Sequence, residues 1–236
     1  MLPHEKFQAA YLGADEPPRT LVERAYLGLR HDIVCGQLAP GERLRVEHLK
    51  DVYGVGAGTL REALMLLVSD ALVTAEGQRG FRVTPISLAD LEDLTNTRVM
   101  LETEALRLSI RHGDARWQAG LTAAFERLTE AETRADGLQP DEWERRNRAF
   151  HEALIAGHGS AWQRYFLGIL YRHAERYRAI TLRLAAVPSR PPRDVHREHE
   201  DICKAALARQ EARAALALEA HVRITCELLR EHPFAG

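Results

Sequence analysis

Asn147 and His151 stand four residues apart in a stretch of helical apolar period, so they differ by about 40° around a helix axis and share one face. His199 and His221 each lie eleven residues from position 210, where Arg209-Gln210 reads as the turn between two helices. In an antiparallel hairpin pivoting there, the two imidazoles lie level and converge. Three imidazoles plus an oxygen donor, projecting from facing helices, make a site for Zn²⁺, Ni²⁺ or Mn²⁺ in a bundle core. The same residues also describe a metal-free polar pocket, because a hydrogen-bonded neutral imidazole is common in cores. The remaining histidines, His173 and His196 among them, are expected at the surface.

A second kind of chemistry is written nearer the N-terminus. Gly77 to Gly80 form a glycine-rich tip between two β-type runs, 72–74 and 81–84. Arg79 beside Gly80 at that tip can lie along DNA phosphates or enter a minor groove. Before it come a short helix, Val46 to Tyr53, and a longer one, Gly58 to Asp70, whose first residues include Thr59 and Arg61. A short helix that braces the next lets such N-terminal residues reach base edges in the major groove. Thr59, Arg61, Arg79, Gly80 and Arg45 are therefore the candidate DNA contacts.

Two blocks position these groups. Residues 1–19 end in Asp15-Glu16-Pro17-Pro18-Arg19, show no apolar period and are expected to be a flexible leader. Residues 20–85 open at Thr20, with Glu23 three residues on as a capping box, and run through three helices and a hairpin. That order is a winged helix-turn-helix. Residues 86–236 stay helical, with helices predicted near 87–112, 114–136, 140–157, 160–186, 194–209 and 211–231. The predicted fold is mainly α, an N-terminal winged helix-turn-helix plus a C-terminal all-α antiparallel helical bundle.

The local words are more specific than the layout. Gly36-Gln37-Leu38-Ala39-Pro40-Gly41-Glu42-Arg43-Leu44, Leu60-Arg61-Glu62-Ala63-Leu64 and Arg79-Gly80-Phe81-Arg82-Val83 closely resemble the GntR family of regulators. The resemblance implies that Arg61 contacts DNA and that Arg79 and Gly80 form the wing. It extends through Asn147-Arg148-Ala149-Phe150-His151, Glu198-His199-Glu200-Asp201-Ile202 and Ala220-His221 to the FadR-type branch, whose C-terminal FCD domain binds effectors. In that branch the first metal ligand is usually aspartate, and Asn147 supplies an oxygen without charge. Such a site binds metal more weakly, or relies on an anionic ligand. Arg98 matches the arginine that points into the branch's ligand pocket, where a guanidinium suits a carboxylate; the alternative is a surface salt bridge to Glu102. Tyr171 and Arg172, with Arg176, either line the same cavity or form a solvated basic face. The family also usually has an arginine where this chain has Ala57, and a serine cap where it has Gly56. Losing one arginine-to-guanine contact costs roughly 1–3 kcal/mol of discrimination per half-site, so either an operator that departs from the family's commonest one or weaker binding is expected.

Composition bounds the rest. The 236 residues are 45% hydrophobic and 28% charged with formal net charge −2, as in ordinary folded proteins. Eight basic and eight acidic residues cancel between Leu21 and Ile86, so a DNA-facing positive surface must come from segregation, not excess. Cys35, Cys203 and Cys226 form no CxxC pair and read as free thiols of a reducing cytoplasm. No apolar run approaches the ~20 residues of a membrane span. The reading is a ligand-responsive regulator, a repressor by preference. As a homodimer it binds palindromic operator DNA and senses a small carboxylate at a divalent metal. The competing readings are a metal-dependent hydrolase, with Glu152 or Glu198 as base, and a dimerisation module without ligand.

Overall fold

The computed structural model describes residues 18–77, 80–134, 139–185 and 193–231, the side chains of 182–185 excepted. Most of the expected leader and the wing residue Arg79 lie outside the described residues. The chain divides into two compact units, with the change between Asp90 and Leu91.

In the N-terminal unit, Thr20 closes the expected capping box at the start of α1 (Leu21–Val34). The Glu23 amide donates to Thr20 Oγ1 at 3.1 Å, and the Thr20 amide donates to Glu23 Oε2 at 3.1 Å. Ala25, Tyr26, Leu29 and Ile33 recur every three or four residues and bury one stripe of α1. That stripe packs on α3 (Ala57–Ser69) through Leu60, Ala63, Leu64 and Leu67. Burying each such leucine contributes about 1.5–3 kcal/mol. Between them α2 (Val46–Val52) inserts Leu49. The hairpin is β2 (Val73–Ala75) and β3 (Phe81–Val83), but the sheet has a third strand, β1 (Arg43–Leu44), in the order β1-β3-β2. Both pairings are antiparallel, with Leu44 opposite Phe81 and Val73 opposite Val83. A two-residue strand carries no period, so β1 was invisible to pattern reading.

Among the described residues the C-terminal unit is a bundle of six helices: α4 (Leu88–His112), α5 (Ala115–Glu132), α6 (Pro140–Leu154), α7 (Ala161–Ala185), α8 (Val195–Leu207) and α9 (Glu211–Glu231). Their ends fall within four residues of the predicted ones. Asp114 and Asp194 cap α5 and α8 by accepting from the Trp117 and Arg197 amides, and Pro140 starts α6 where its missing N–H costs nothing. Leu106, Leu121, Leu128, Phe150, Leu154, Leu167, Ile202 and Leu218 form the core. Cys203 and Cys226 are buried free thiols, and Cys35 is half-exposed. Among the described residues, no helix is long and apolar enough to cross a membrane.

Two helices end in Schellman turns whose left-handed residue is not glycine. At the end of α3 the Leu72 amide donates to Leu67 O and the Ala71 amide to Val68 O, with Ala71 at φ +57°. At the end of α8, Gln210 and Arg209 repeat the pattern onto Ala205 and Ala206, with Arg209 at φ +58°. There the side chain offsets the strain. Its guanidinium donates to Gly113 O at 2.6 Å and to Ile110 O, tying down the last carbonyls of α4, and lies 5.2 Å from the Trp117 ring centre. Ala71 has no such compensation in its methyl group. Ala71→Gly is expected to stabilise the N-terminal unit by about 0.5–1 kcal/mol, raising its urea midpoint, whereas Arg209→Gly is expected to destabilise the bundle. Equal gains from both would show that the Arg209 guanidinium contributes nothing.

Candidate functional site

The helices bring the four expected donors together. Asn147 and His151 come from α6, His199 from α8 and His221 from α9, all of them buried. One ring nitrogen from each histidine lies within 4.8 Å of the others. Ring centres are 4.6 Å apart for His199 and His221, and 5.2 Å for His151 and His221. Each imidazole is aimed by a carboxylate. His151 Nδ1 lies 2.7 Å from Glu102 Oε1, His199 Nδ1 lies 2.8 Å from Glu132 Oε1, and His221 Nδ1 lies 2.7 Å from Glu198 Oε2. A carboxylate accepts, so each Nδ1 carries the proton and donates, which leaves Nε2 with a free lone pair.

Two inward atoms then lack a partner: His199 Nε2 and Asn147 Oδ1 are both buried without a hydrogen bond. Leaving such acceptors buried and unsatisfied costs about 1–3 kcal/mol each. A cation would satisfy both at once, and three imidazole nitrogens with one amide oxygen suit a borderline divalent ion. The residues therefore fit a metal.

The protonation states agree. Burial pushes His151 down to about 4 against the opposing pull of Glu102, and burial holds His221 well below its ordinary value. Burial alone would raise Glu102, but the charges of Arg98 and His151 and the hydrogen bond from His151 bring it down to about 2. Near neutral pH the site thus presents neutral His151 and His221 beside an anionic Glu102.

Beside the donors lies a cavity of about 20 Å³ lined by Arg98, Asn147, His151, Arg178, Arg193 and His221, with Trp143 among its apolar walls. That is room for a water-sized species or an ion. Each guanidinium is held by its own glutamate. Arg98 Nη2 donates to Glu102 at 2.9 Å, Arg178 Nε to Glu144 at 3.0 Å, and Arg193 Nε to Glu198 at 2.8 Å. The Arg98 guanidinium also lies 5.1 Å from the ring centre of Tyr171.

Several expectations change here. The Arg98–Glu102 pair forms, but buried, not at the surface. Arg172 and Arg176 are buried too, which overturns the solvated basic face. Arg172 does not line the cavity; its charge acts on Glu152 of α6, and Arg178 and Arg193 stand where it was expected. His158 is buried, with its two ring nitrogens facing the carbonyls of Ile155 and Ser160, and His196 packs against Glu132. Of the bases a hydrolase would use, Glu198 is engaged by Arg193 and His221, and Glu152 is raised by burial. Sequence reading passed over Glu132, Arg178 and Arg193 entirely.

In the N-terminal unit, α3 starts from Gly56 without a side-chain cap bond, and Ala57 is its first residue. Thr59 is half-exposed, while Arg61 and Arg45 are exposed. Gly80 sits at φ +93°, a conformation L side chains avoid. Arg82 turns inward onto Glu76 and Gly41 O and is not offered to a ligand.

Residues 21–83 match the model of the bacterial regulatory proteins of the gntR family, and residues 93–224 match the FCD domain. The HTH-type transcriptional regulator BphR of Paraburkholderia xenovorans is 46% identical over 90% of this chain and 86% of its own. The HTH-type transcriptional repressor GlaR of Escherichia coli is 35% identical over 87% of this chain and 94% of its own. Among solved structures, E. coli McbR/YncC superposes with a TM-score of 0.72 at 22% identity, covering 90% of this chain and 98% of that one, a likeness of fold. The relatives are transcriptional regulators, not enzymes, and the chain belongs to the GntR family, with a winged helix-turn-helix followed by an FCD domain.

Proposed function

We propose that the protein is a cytoplasmic repressor that releases or grips a palindromic operator according to a small carboxylic acid sensed in its helical unit. One observation carries the reading. Four donors with two unsatisfied buried lone pairs converge beside Arg98, in a chain whose other unit is a DNA-binding module. Asn147, His151, His199 and His221 would hold a divalent ion (Zn²⁺, Ni²⁺ or Mn²⁺). The ion would supply positive charge that binds the acid's carboxylate. Arg98, over the Tyr171 ring, would take the same carboxylate through its guanidinium. A cavity of about 20 Å³ is too small for an organic acid, so binding requires the site to open. That difference between two forms is what a ligand needs in order to shift an equilibrium. Operator contacts come from Arg61, Thr59 and Arg45, with the wing at Gly80 and Arg79. The repressor sign is supported by the relative named a repressor.

Two copies are needed to read a palindrome. α7 offers a face for the second: Trp162 and Phe166 are 63% and 49% exposed and stack with ring centres 6.1 Å apart, with Tyr165 beside them. An exposed aromatic cluster of this kind marks an interaction surface.

The direct test is to incubate the protein with fragmented genomic DNA of its source and sequence what it retains. Enrichment of a short palindrome, lost in Arg61→Ala, is expected; no enrichment with or without added Zn²⁺ would overturn the regulator reading. Asn147→Asp adds the missing charge and is expected to tighten Zn²⁺ binding by about tenfold in competition with a chromophoric chelator. Unchanged affinity would remove Asn147 from the ligand set. Trp162→Glu combined with Phe166→Glu is expected to give a monomer by sedimentation, and a persisting dimer would place the interface elsewhere.

A further inference from the structure

Glu102 of α4 occupies the junction between the two halves of the site. Its side chain is fully buried. Oε1 accepts from His151 Nδ1 at 2.7 Å and Oε2 accepts from Arg98 Nη2 at 2.9 Å. One negative charge is thus shared between an imidazole of the donor cluster and the guanidinium assigned to the acid. Arg98 is not saturated by this bond, because its Nε is buried without a partner. A carboxylate that grips the guanidinium along its Nε and Nη2 edge therefore takes hold of the very nitrogen that Glu102 now holds.

We propose that Glu102 is a positioning residue that couples Arg98 to His151, so that neutralising the guanidinium tightens the hold of the histidine cluster on a divalent metal. The inference rests on the metal and carboxylate reading above. The physical route is short. While Arg98 keeps its charge, it draws the Glu102 carboxylate toward itself. When an anion neutralises Arg98, the carboxylate acts fully on the Nδ1–H of His151, and a stronger bond there makes Nε2 a better donor. Linkage requires the reverse to hold equally: a metal on His151 strengthens the Nδ1–H bond to Glu102 and loosens Glu102 from Arg98. The acid and the metal would then reinforce each other through Glu102, in addition to any direct bond between them.

The guanidinium charge also repels a cation directly through space, an effect of the same sign that does not pass through Glu102. The two are separated by measuring Ni²⁺ dissociation constants of the full-length protein against a chromophoric chelator. Four forms are compared: wild type, Arg98→Met, Glu102→Gln and the double variant. Glutamine keeps the shape of Glu102 but can accept strongly from only one of its two neighbours. Glu102→Gln is expected to weaken Ni²⁺ binding about 10–100-fold. Arg98→Met, standing in for a neutralised guanidinium, is expected to tighten it about tenfold, and the same change in the Glu102→Gln background to tighten it by a clearly smaller factor, the part due to direct repulsion. A tightening of the same size in both backgrounds would mean direct repulsion and overturn the coupling, as would a Glu102→Gln variant of wild-type affinity. Circular dichroism and thermal melting check the fold of each. Should Arg98→Met not fold, Arg98→Gln removes the charge while keeping a donor to Glu102, with the same outcomes expected. Wild-type protein that binds no Ni²⁺ or Zn²⁺ would instead sink the metal reading itself, and the coupling with it.

Discussion

Three imidazoles packed around one point can coexist in a protein interior only if they stay neutral and if their polar edges are satisfied. Burial keeps His151 and His221 neutral; three glutamates supply the acceptors. Those glutamates are themselves buried or half-buried anions, and an isolated buried carboxylate costs several kcal/mol. Each is therefore met by more than one donor: Glu102 by Arg98 and His151, Glu132 by His196, His199 and Trp143, Glu198 by Arg193 and His221. The arrangement reaches α4, α5, α6, α8 and α9, and the Arg98 guanidinium over the Tyr171 ring adds α7. A network this connected fixes the relative placement of all six helices more narrowly than their apolar faces do. What it leaves unsatisfied points inward, toward the place where a ligand would complete it.

The helix that joins this interior to the outside is α7. Its inner side carries Tyr171 and two ion pairs to α6, Arg178 with Glu144 and Arg148 with Glu175 at 2.7 Å. All four side chains are largely buried, so these pairs contribute register more than net stability. Its outer side carries Trp162, Tyr165 and Phe166. Opening the cavity far enough to admit an acid must move Arg98, Arg178 or Arg193, and Arg178 belongs to α7. The same element would carry that displacement to a second copy, and nothing beyond a rigid helix is needed to relay it.

Much of this was legible beforehand, and the failures have physical causes. The six helices follow from an apolar period sustained for 13 to 25 residues, which few other structures produce. Asn147, His151, His199 and His221 were found because helix geometry and a hairpin pivot fix where side chains at those spacings go. Glu132 escaped because it lies on a different helix from the histidines it serves, and no spacing rule links α5 to α8. Arg193 precedes the first turn of α8, outside any period. Arg172 stayed open between the cavity and a solvated face because a basic residue on a long helix normally reaches solvent; it is buried, but away from the cavity lining. His158 was read as surface because a turn such as Gly157-His158-Gly159 usually is, yet nearby backbone carbonyls meet its ring nitrogens.

In the DNA-binding unit the charges are instead paired with one another at the surface. Arg82 closes on Glu76, with Arg43 3.9 Å from the same carboxylate, and Lys50 holds Glu47. A module of zero formal charge thereby keeps Arg45 and Arg61 at its surface, while several acids are occupied by internal partners. Ala57 still removes one long base-reading side chain from the start of α3. The uncapped first turn behind Gly56 leaves backbone N–H groups and the positive end of the helix dipole facing out. Such groups hold phosphate without distinguishing bases. On the operator contacts proposed above, recognition would rest on fewer reading side chains, chiefly Arg61 and Thr59, and each would carry a larger share of the discrimination than it would beside an arginine.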